Sequence, residues 1–251
     1  TTRLVGSEMC IRDRMREAGK RLAHVHQELE AMIAPGISTW EIDAKGEKLI
    51  RDCGCIPNFL HYNGYPASIC VSVNDEVVHG IPRKDRYLKE GDIVSLDAGL
   101  IYKGYHSDAA RTHAVGKVST EAQKLMDVTK QSFFEGIKMA KEGQHLHDIS
   151  RAIEEYVAPY GYGIVRDLVG HGIGTALHED PQIPNYAQKR RGVRLQAGMT
   201  LAIEPMINAG TWQVRFLRDG WTVVTKDGSL SAHYENTILV TDGEPEILTL
   251  Y

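Results

Sequence analysis

Four acidic residues lie in apolar surroundings, where an isolated carboxylate is unfavourable. Asp97 follows the run IVSL, Glu204 lies in LAIEP, Glu235 lies in AHYENTILV, and Asp108 precedes two alanines. Taken singly, each acid is more typical of a solvated strand residue or a surface ion pair. Taken together, four buried carboxylates are costly unless cations neutralise them, and two divalent ions match their charge. The pattern therefore predicts a carboxylate-rich metal centre.

The first pair of acids is spaced for a β-hairpin. If residues 93–112 form a hairpin centred between Tyr102 and Lys103, Asp97 lies directly opposite Asp108. Directly opposed residues have Cβ atoms about 4.5 to 5.5 Å apart, and like charges there are destabilising. A cation between the two carboxylates would remove that repulsion.

The second pair is symmetric about a different turn. Glu204 and Glu235 are equidistant from Asp219-Gly220, a dipeptide typical of hairpin turns. This symmetry predicts that the two glutamates lie on adjacent antiparallel strands, with an inner hairpin nested inside the outer pair.

A histidine in a glycine-rich segment is the candidate nitrogen ligand. His171 lies in VGHGIGTALH, where glycines let the backbone bend and approach other groups closely. A structural histidine or an oxyanion turn is the alternative. The sequence has no G-x-S-x-G, H-E-x-x-H, Walker A or G-x-G-x-x-G motif to support another mechanism. Several oxygens with one imidazole suit Mn, Fe(II), Co or Zn and argue against copper.

The elements that must position these residues follow from periodicity. Apolar residues recur every three or four positions from Met15 to Met32, which predicts a helix ended by Pro35-Gly36. Ser38 with Glu41 predicts a capping box and a second helix that ends near residue 54. Further helices are predicted over 121–141 and 147–157, and β-branched runs predict strands at 69–73, 77–78, 93–96, after 104 and after 199. Helices followed by strands occur twice, so we predict an α+β fold of two similar halves that share one sheet.

Composition limits the class of protein. The chain has 251 residues, 42% hydrophobic and 25% charged residues and a net charge of -4, typical of a globular enzyme without a field that favours DNA. No apolar stretch approaches the about 20 residues that span a bilayer, and the start lacks a signal-peptide core, so we predict a cytoplasmic protein. The four cysteines have no paired C-x-x-C spacing and are predicted to be reduced thiols.

The first fourteen residues have a foreign character. Residues 4–14, LVGSEMCIRDR, resemble the translation of a transposase adapter used in DNA library preparation. We therefore expect residues 1–14 to be a non-native segment and residues 15–251 to form one catalytic domain.

The motifs together closely resemble the type I bacterial methionine aminopeptidases. Matching segments are HGIP at 79–82, GDIVSLDAG at 91–99, GYHSDAARTH at 104–113, GHGIG at 170–174, MTLAIEPMIN at 199–208 and the run from 219 to 241. The resemblance extends in uninterrupted order from about residue 15 to the end of the chain. It implies the pita-bread fold, with two pseudo-symmetric halves around an antiparallel sheet, and removal of the initiator methionine in front of a small second residue.

The resemblance also assigns roles to individual residues. It implies that Asp97, Asp108, His171, Glu204 and Glu235 hold two divalent cations, Co, Mn, Fe(II) or Zn, which activate water. It implies that Glu204 is also the general base, that His178 stabilises the oxyanion and that His79 contacts the amide nitrogen or leaving amine. Taken alone, each of these two histidines would be an ordinary polar side chain.

The same resemblance implies an aromatic methionine pocket. Its walls are Phe59, Tyr62, Tyr65, Cys70, His79, Leu177, His178 and Trp221. Phe59 replaces a cysteine and Leu177 a phenylalanine that relatives can carry, so the pocket shape is expected to differ. Without the motif, the aromatic residues would simply pack a core. The backbone carbonyls of Asn74, Glu76 and Ser231 correspond to a monovalent-cation site in some relatives.

Two rival functions remain at this point. A proline-directed peptidase of the same fold is disfavoured, because such enzymes usually carry an additional N-terminal domain. A binding module that has lost catalysis is disfavoured because all five ligand positions and both histidines are present. The expected substrate is the N-terminal methionine of a nascent polypeptide. The enzyme is expected to be a monomer that contacts the ribosome transiently and binds neither DNA nor a membrane.

Overall fold

Four α-helices provide the outer layers of the protein. In the computed structural model, which describes the backbone of residues 2–251 and side chains from residue 11 onward, the helices are α1 (Thr2–Glu30), α2 (Thr39–Asp52), α3 (Thr120–Ile137) and α4 (Leu146–Val157). Two 3-10 helices span Tyr62–Gly64 and Ala158–Tyr160. Cys10 and most of the suspected foreign segment 1–14 lie outside the described side chains. None of the described helices is both long and apolar enough to cross a membrane.

Two of the predicted helix signals are confirmed, whereas α1 ends at Glu30, before Pro35-Gly36, and α3 ends at Ile137, before residue 141. The apolar stripe of α1 is confirmed, since Met15, Leu22 and Leu29 are fully buried. Ser38 accepts a hydrogen bond from the backbone N–H of Glu41, whose carboxylate accepts from the Ser38 backbone N–H, so the predicted capping box begins α2.

Among the described residues, fifteen strands of two to ten residues form three sheets. The strands are β1 (Ile56–Pro57), β2 (Ile69–Val73), β3 (Glu76–Val78), β4 (Ile93–Tyr102), β5 (Tyr105–Ala114), β6 (Gly163–Ile164), β7 (Gly170–Gly172), β8 (Glu179–Ile183), β9 (Thr200–Ile203), β10 (Met206–Asn208), β11 (Val214–Phe216), β12 (Val223–Thr225), β13 (Ser231–His233), β14 (Glu235–Leu239) and β15 (Glu246–Ile247). The main sheet has the order β1-β4-β5-β14-β9-β7-β8, with β2 on β4 and β15 on β14. Strands β5 and β14 join the two halves, as the predicted shared sheet requires.

A hydrophobic core fills each half. Helix α1 packs against β4 and β5, and α2 packs against β2, through residues such as Leu22, Ile42 and Leu96. Helices α3 and α4 cover the second half through residues such as Phe133 and Ile149. This helix-covered antiparallel arrangement is the predicted α+β pita-bread fold.

The register predicted for the first hairpin is wrong by two residues. Asp97 pairs with Ala110 and Asp108 pairs with Gly99, because the two-residue turn is Lys103-Gly104. Both turn residues have positive φ, 48° for Lys103 and 82° for Gly104, as a type I′ turn requires. Since side chains alternate with a period of two, the shift keeps both aspartates on one face as diagonal neighbours.

The pairing predicted around Asp219-Gly220 is confirmed. β11 pairs with β12, β10 with β13 and β9 with β14, and all three registers are symmetric about this turn. Gly220 has a φ of 83°, which glycine adopts without strain. Since Ile203 pairs with Asn236, the next position along the register brings Glu204 opposite Glu235.

Candidate metal centre and substrate cavity

Two adjacent rows of side chains cross one face of the main sheet. The first row, given by strand pairing, is Cys70, Asp97, Ala110, Glu235 and then Glu204. Ala110 is completely buried at the centre of this row, where its small side chain leaves space between the acids. The pairing of β2, β4, β5, β14 and β9 therefore gathers three of the four predicted acids in one line.

The second row supplies the remaining acid and the imidazole. Asp108 neighbours Thr237, whose hydroxyl bonds the Asp108 backbone on both sides, accepting from N at 3.0 Å and donating to O at 2.8 Å. Ala202 pairs with Thr237 on one side and with His171 on the other. The two rows thus bring together all five predicted metal ligands.

A cavity of about 260 Å³ opens onto these rows. Its wall includes all thirteen residues that the sequence analysis assigned to the site. They are Phe59, Tyr62, Tyr65, Cys70, His79, Asp97, Asp108, His171, Leu177, His178, Glu204, Trp221 and Glu235.

The carboxylates lack protein partners that would compensate their burial. Within the described part of the chain, Asp97 Oδ1, Asp108 Oδ1 and Glu235 Oε1 are buried without a hydrogen-bond partner. Burial raises the pKa of all four carboxyl groups, to about 7 for Asp97, and neighbouring carboxylates raise it further for Asp108, Glu204 and Glu235. Such a set requires either protons or cations, and its oxygen donors fit a divalent metal.

His171 is oriented as a metal ligand would be. Its Nδ1 lies 2.9 Å from the carbonyl of Gly172, which fixes the proton on Nδ1 and leaves the Nε2 lone pair free. Nε2 lies 3.5 Å from Glu204 Oε1 and 3.9 Å from Asp108 Oδ2. Burial lowers the pKa of His171 to about 4, so the ring is neutral and able to ligate.

Close backbone packing explains the glycines around His171. A Cβ on Gly170 would lie 2.4 Å from the Ala202 carbonyl oxygen, and one on Gly172 would lie 2.3 Å from the Asp180 carbonyl oxygen. Only glycine therefore allows β7 to pack between its neighbours and hold His171 at the cavity.

Two groups of ligand atoms are compact enough to hold an ion. Asp108, His171 and Glu235 offer atoms within 4.8 Å of one another, and so do Glu204, His233 and Glu235. Glu235 belongs to both groups. The donor set therefore fits a metal, whereas Asp97, a predicted ligand, belongs to neither group.

His233 is a cavity residue that the sequence analysis missed. It is 1% exposed, with Nε2 at 3.8 Å from Glu235 Oε2 and 3.9 Å from Glu204 Oε2. Its position two residues before Glu235 was the available signal, because strand residues two apart share a face. The other cavity residues not predicted are Asn63, Val78, Leu168, Val169 and Met206, whose side-chain types gave no chemical signal.

The two predicted catalytic histidines also reach the cavity. His79 has a φ of 58°, a left-handed conformation uncommon outside glycine and typical of functional sites. Burial lowers the pKa of His79 to about 4 and lowers that of His178 as well. The His178 ring lies 4.3 Å from the ring of His171, centroid to centroid, so it adjoins the predicted metal ligands.

An apolar pocket adjoins the acids. Phe59, Tyr65, Cys70 and Leu177 are all less than a tenth exposed, and the rings of Tyr65 and Trp221 meet edge to face at 5.1 Å. Aromatic and thiol surfaces of this kind suit an unbranched apolar or thioether side chain. Cys53, Cys55 and Cys70 are free, in agreement with the predicted reduced thiols.

The segments predicted to offer a monovalent-cation site are adjacent. The Ser231 backbone N–H donates to the Asn74 carbonyl at 2.9 Å, and Glu76 pairs with Val224 of β12. Asn74 has a φ of 59°, which turns the chain sharply at this point.

Without metal, the acids should make stability depend on pH. A carboxyl group with a raised folded pKa stabilises the fold below its unfolded pKa, and this contribution is lost as pH rises through the folded pKa. The cavity histidines have lowered pKa values and act oppositely, but only the last part of their gain, which ends about one unit above the unfolded pKa of about 6.5, lies in the range from pH 6.5 to 8. We therefore expect the Tm of chelated protein to fall by a few degrees from pH 6.5 to 8.

Thermal unfolding monitored by circular dichroism measures this effect. Protein loaded with Zn should lack most of the fall, because the ions stabilise the charged carboxylates. Asp97→Asn should reduce the slope of the chelated protein, since that carboxyl titrates near 7. A Tm that rises over this range would contradict the expected electrostatics.

The fold and the site together define a metal-dependent hydrolase of the pita-bread class. Residues 13–242 match the model of metallopeptidase family M24. The methionine aminopeptidase of Clostridium acetobutylicum is 54% identical over 94% of this chain and 94% of its own. The crystal structure of methionine aminopeptidase from Thermotoga maritima aligns with a TM-score of 0.93 at 46% identity, over 95% of this chain and 96% of that one. The chain belongs to metallopeptidase family M24, among the type I bacterial methionine aminopeptidases.

More distant structures share the fold. Prolidase from Pyrococcus furiosus aligns with a TM-score of 0.76 at 22% identity, over 96% of this chain but 64% of that one. The likeness to prolidase extends to the architecture alone.

Proposed function

We propose that this enzyme removes the initiator methionine from nascent polypeptides that carry a small second residue. The observation that carries the proposal is that one cavity contains both the carboxylate and imidazole set and the apolar pocket. Relatives named methionine aminopeptidase, at 43% to 54% identity, support it. The catalytic unit is residues 15–251, and we infer that the enzyme works as a cytoplasmic monomer with transient access to the ribosome, where its substrate is made.

Five side chains are proposed to hold two divalent cations. Asp108 and Glu235 would serve both ions, Asp97 would complete the ligands of one, and His171 with Glu204 would complete those of the other. Bound cations of this kind supply positive charge that polarises the scissile carbonyl and lowers the pKa of water. Co, Mn, Fe(II) or Zn suits this donor set. A monovalent cation at the carbonyls of Asn74, Glu76 and Ser231 is proposed as a structural ion.

The residues around the ions handle the substrate. The apolar walls hold the methionine side chain and exclude water from it, which fixes the first peptide bond over the carboxylates. Glu204 accepts the proton of the attacking water as a general base. His178 donates a hydrogen bond to the carbonyl oxygen as negative charge develops, and His79 contacts the departing amide nitrogen.

A peptide assay tests the proposed function. We expect the metal-loaded enzyme to cleave Met-Ala-Ser and to leave Ala-Pro-Ser intact, and we expect rigorous chelation to abolish turnover until Mn or Co is restored. Liquid chromatography of the released amino acid measures both substrates. Preference for the prolyl peptide would favour the proline-directed alternative, turnover of neither would favour a binding module, and full activity after chelation would exclude the metal mechanism.

A further inference from the structure

Tyr62 makes a hydrogen bond that a simple pocket wall does not need. Its hydroxyl oxygen lies 2.9 Å from His178 Nδ1, and the two rings are tilted at a centroid distance of 5.4 Å. Among the described residues this is the only hydrogen bond of that hydroxyl. The other pocket tyrosine, Tyr65, instead donates to the backbone carbonyl of Gly80 at 2.9 Å.

The backbone around Tyr62 is strained on both sides. His61 has a φ of 66° and Asn63 a φ of 49°, so two residues other than glycine adopt the left-handed conformation. This conformation is uncommon outside glycine, and it persists where the surroundings impose it. The left-handed residues on both sides define the direction in which the Tyr62 side chain leaves the backbone.

Short hydrogen bonds hold the strained segment in place. The His61 backbone N–H donates to the Tyr65 carbonyl at 2.8 Å, and the Tyr62 N–H donates to the Phe59 carbonyl at 2.9 Å. The Tyr65 N–H donates back to the Tyr62 carbonyl at 2.9 Å. The Tyr62 hydroxyl is therefore presented to His178 from a locked turn.

The position of the ring proton decides what His178 can do. A neutral imidazole carries one N–H and one lone pair, and the hydrogen bond at one nitrogen fixes the state of the other. If Nδ1 carried the proton, Nε2 would present a lone pair and would repel a developing oxyanion. Stabilising that oxyanion requires the proton on Nε2.

We propose that Tyr62 is a positioning residue that sets the tautomer of His178. The Tyr62 hydroxyl donates to Nδ1, which keeps the ring proton on Nε2 as a donor for the substrate oxygen. The inference rests on the proposed role of His178 and extends it to a residue otherwise assigned to the methionine pocket. Tyr62 thus contributes both an apolar ring and an oriented hydroxyl.

Nuclear magnetic resonance tests the proton position directly. Long-range ¹H–¹⁵N spectra of Zn-loaded protein, with the His178 signal assigned from His178→Ala, should show the Nε2–H tautomer in the wild type. Tyr62→Phe should lose that preference, while Tyr65→Phe, which removes a hydroxyl bonded elsewhere, should keep it. An unchanged His178 tautomer in Tyr62→Phe would overturn the proposal.

Kinetics test whether the tautomer matters for turnover. Tyr62→Phe retains the ring, so KM for Met-Ala-Ser should change by less than about twofold while kcat falls about tenfold, as for a partly misplaced oxyanion donor. In the His178→Ala background, Tyr62→Phe should cause no further loss. Losses that multiply in the double variant would show that the hydroxyl acts by another route and would overturn the proposal.

The roles proposed for His178 and Tyr62 can be rejected separately. A wild-type kcat in His178→Ala would reject the oxyanion role in the proposed function. The tautomer measured in Tyr62→Phe decides independently whether Tyr62 sets the proton position.

Discussion

Glu235→Ala is expected to lower kcat/KM for Met-Ala-Ser by about a thousandfold or more, because bound metal ions stabilise the transition state by several kcal/mol. Glu235 is the one residue shared by both compact groups of ligand atoms among the described residues. Glu235 is also a ligand of both ions in the proposed assignment, so its loss would remove a ligand from each. The fold should persist, because removing one of four crowded carboxylates also removes repulsion in the metal-free protein.

Metal content, steady-state kinetics and circular dichroism measured on the same preparation provide the check. Asp97→Ala should also abolish turnover while the fold is retained. Glu155→Ala is the matched control, since Glu155 is exposed on α4 and does not line the cavity. Wild-type turnover in either the Glu235 or the Asp97 variant would refute the assigned metal centre.

His79→Ala is expected to lower kcat about a hundredfold while metal content stays near that of the wild type. His79 lines the cavity and is not among the five side chains proposed to hold the ions. Its removal therefore takes away a contact to the reacting amide, and general acid–base groups of this kind contribute about 10² to 10⁴ in rate.

Metal analysis by mass spectrometry together with kcat separates the two effects. His24→Ala is the matched control because His24 is exposed on α1, away from the cavity. A parallel loss of metal and activity in His79→Ala would show that His79 acts through the ions rather than on the substrate.

Local signals in the sequence predicted much of the scaffold for physical reasons. The Ser38 capping box and the apolar stripe of α1 depend on neighbouring residues only, so tertiary structure did not override them. The nested pairing around Asp219-Gly220 was also predictable, because an Asp-Gly turn fixes the register of every strand that extends from it.

The first hairpin shows where such inference fails. Gly104 indicates a turn, but Lys103 must share the left-handed conformation, and nothing in a lysine side chain indicates that. The predicted centre of the hairpin, between Tyr102 and Lys103, is therefore one residue too early in the chain, since the observed centre lies between Lys103 and Gly104. Because the resulting shift was even, Asp97 and Asp108 still share a face, and the predicted metal centre did not depend on the error.

Contacts between residues that are distant in the sequence were harder to predict from it. Tyr62 and His178 are 116 positions apart, so no spacing rule connects them. His233 was missed although it precedes Glu235 by two positions, because a lone histidine on a strand is usually an ordinary polar residue. The family resemblance identified most of the cavity residues, but their contacts with one another are visible only in the three-dimensional structure.

The nested strand pairs around Asp219-Gly220 place the substrate pocket and the acidic residues at different distances from the turn. The tip of this hairpin supplies Trp221 to the pocket, while the acids Glu204 and Glu235 belong to the outermost pair. Residues gained or lost at the tip would reshape the space offered to the substrate and leave the outer register intact. Sequence changes at the tip can therefore alter the shape of the substrate pocket while the positions of Glu204 and Glu235 stay the same.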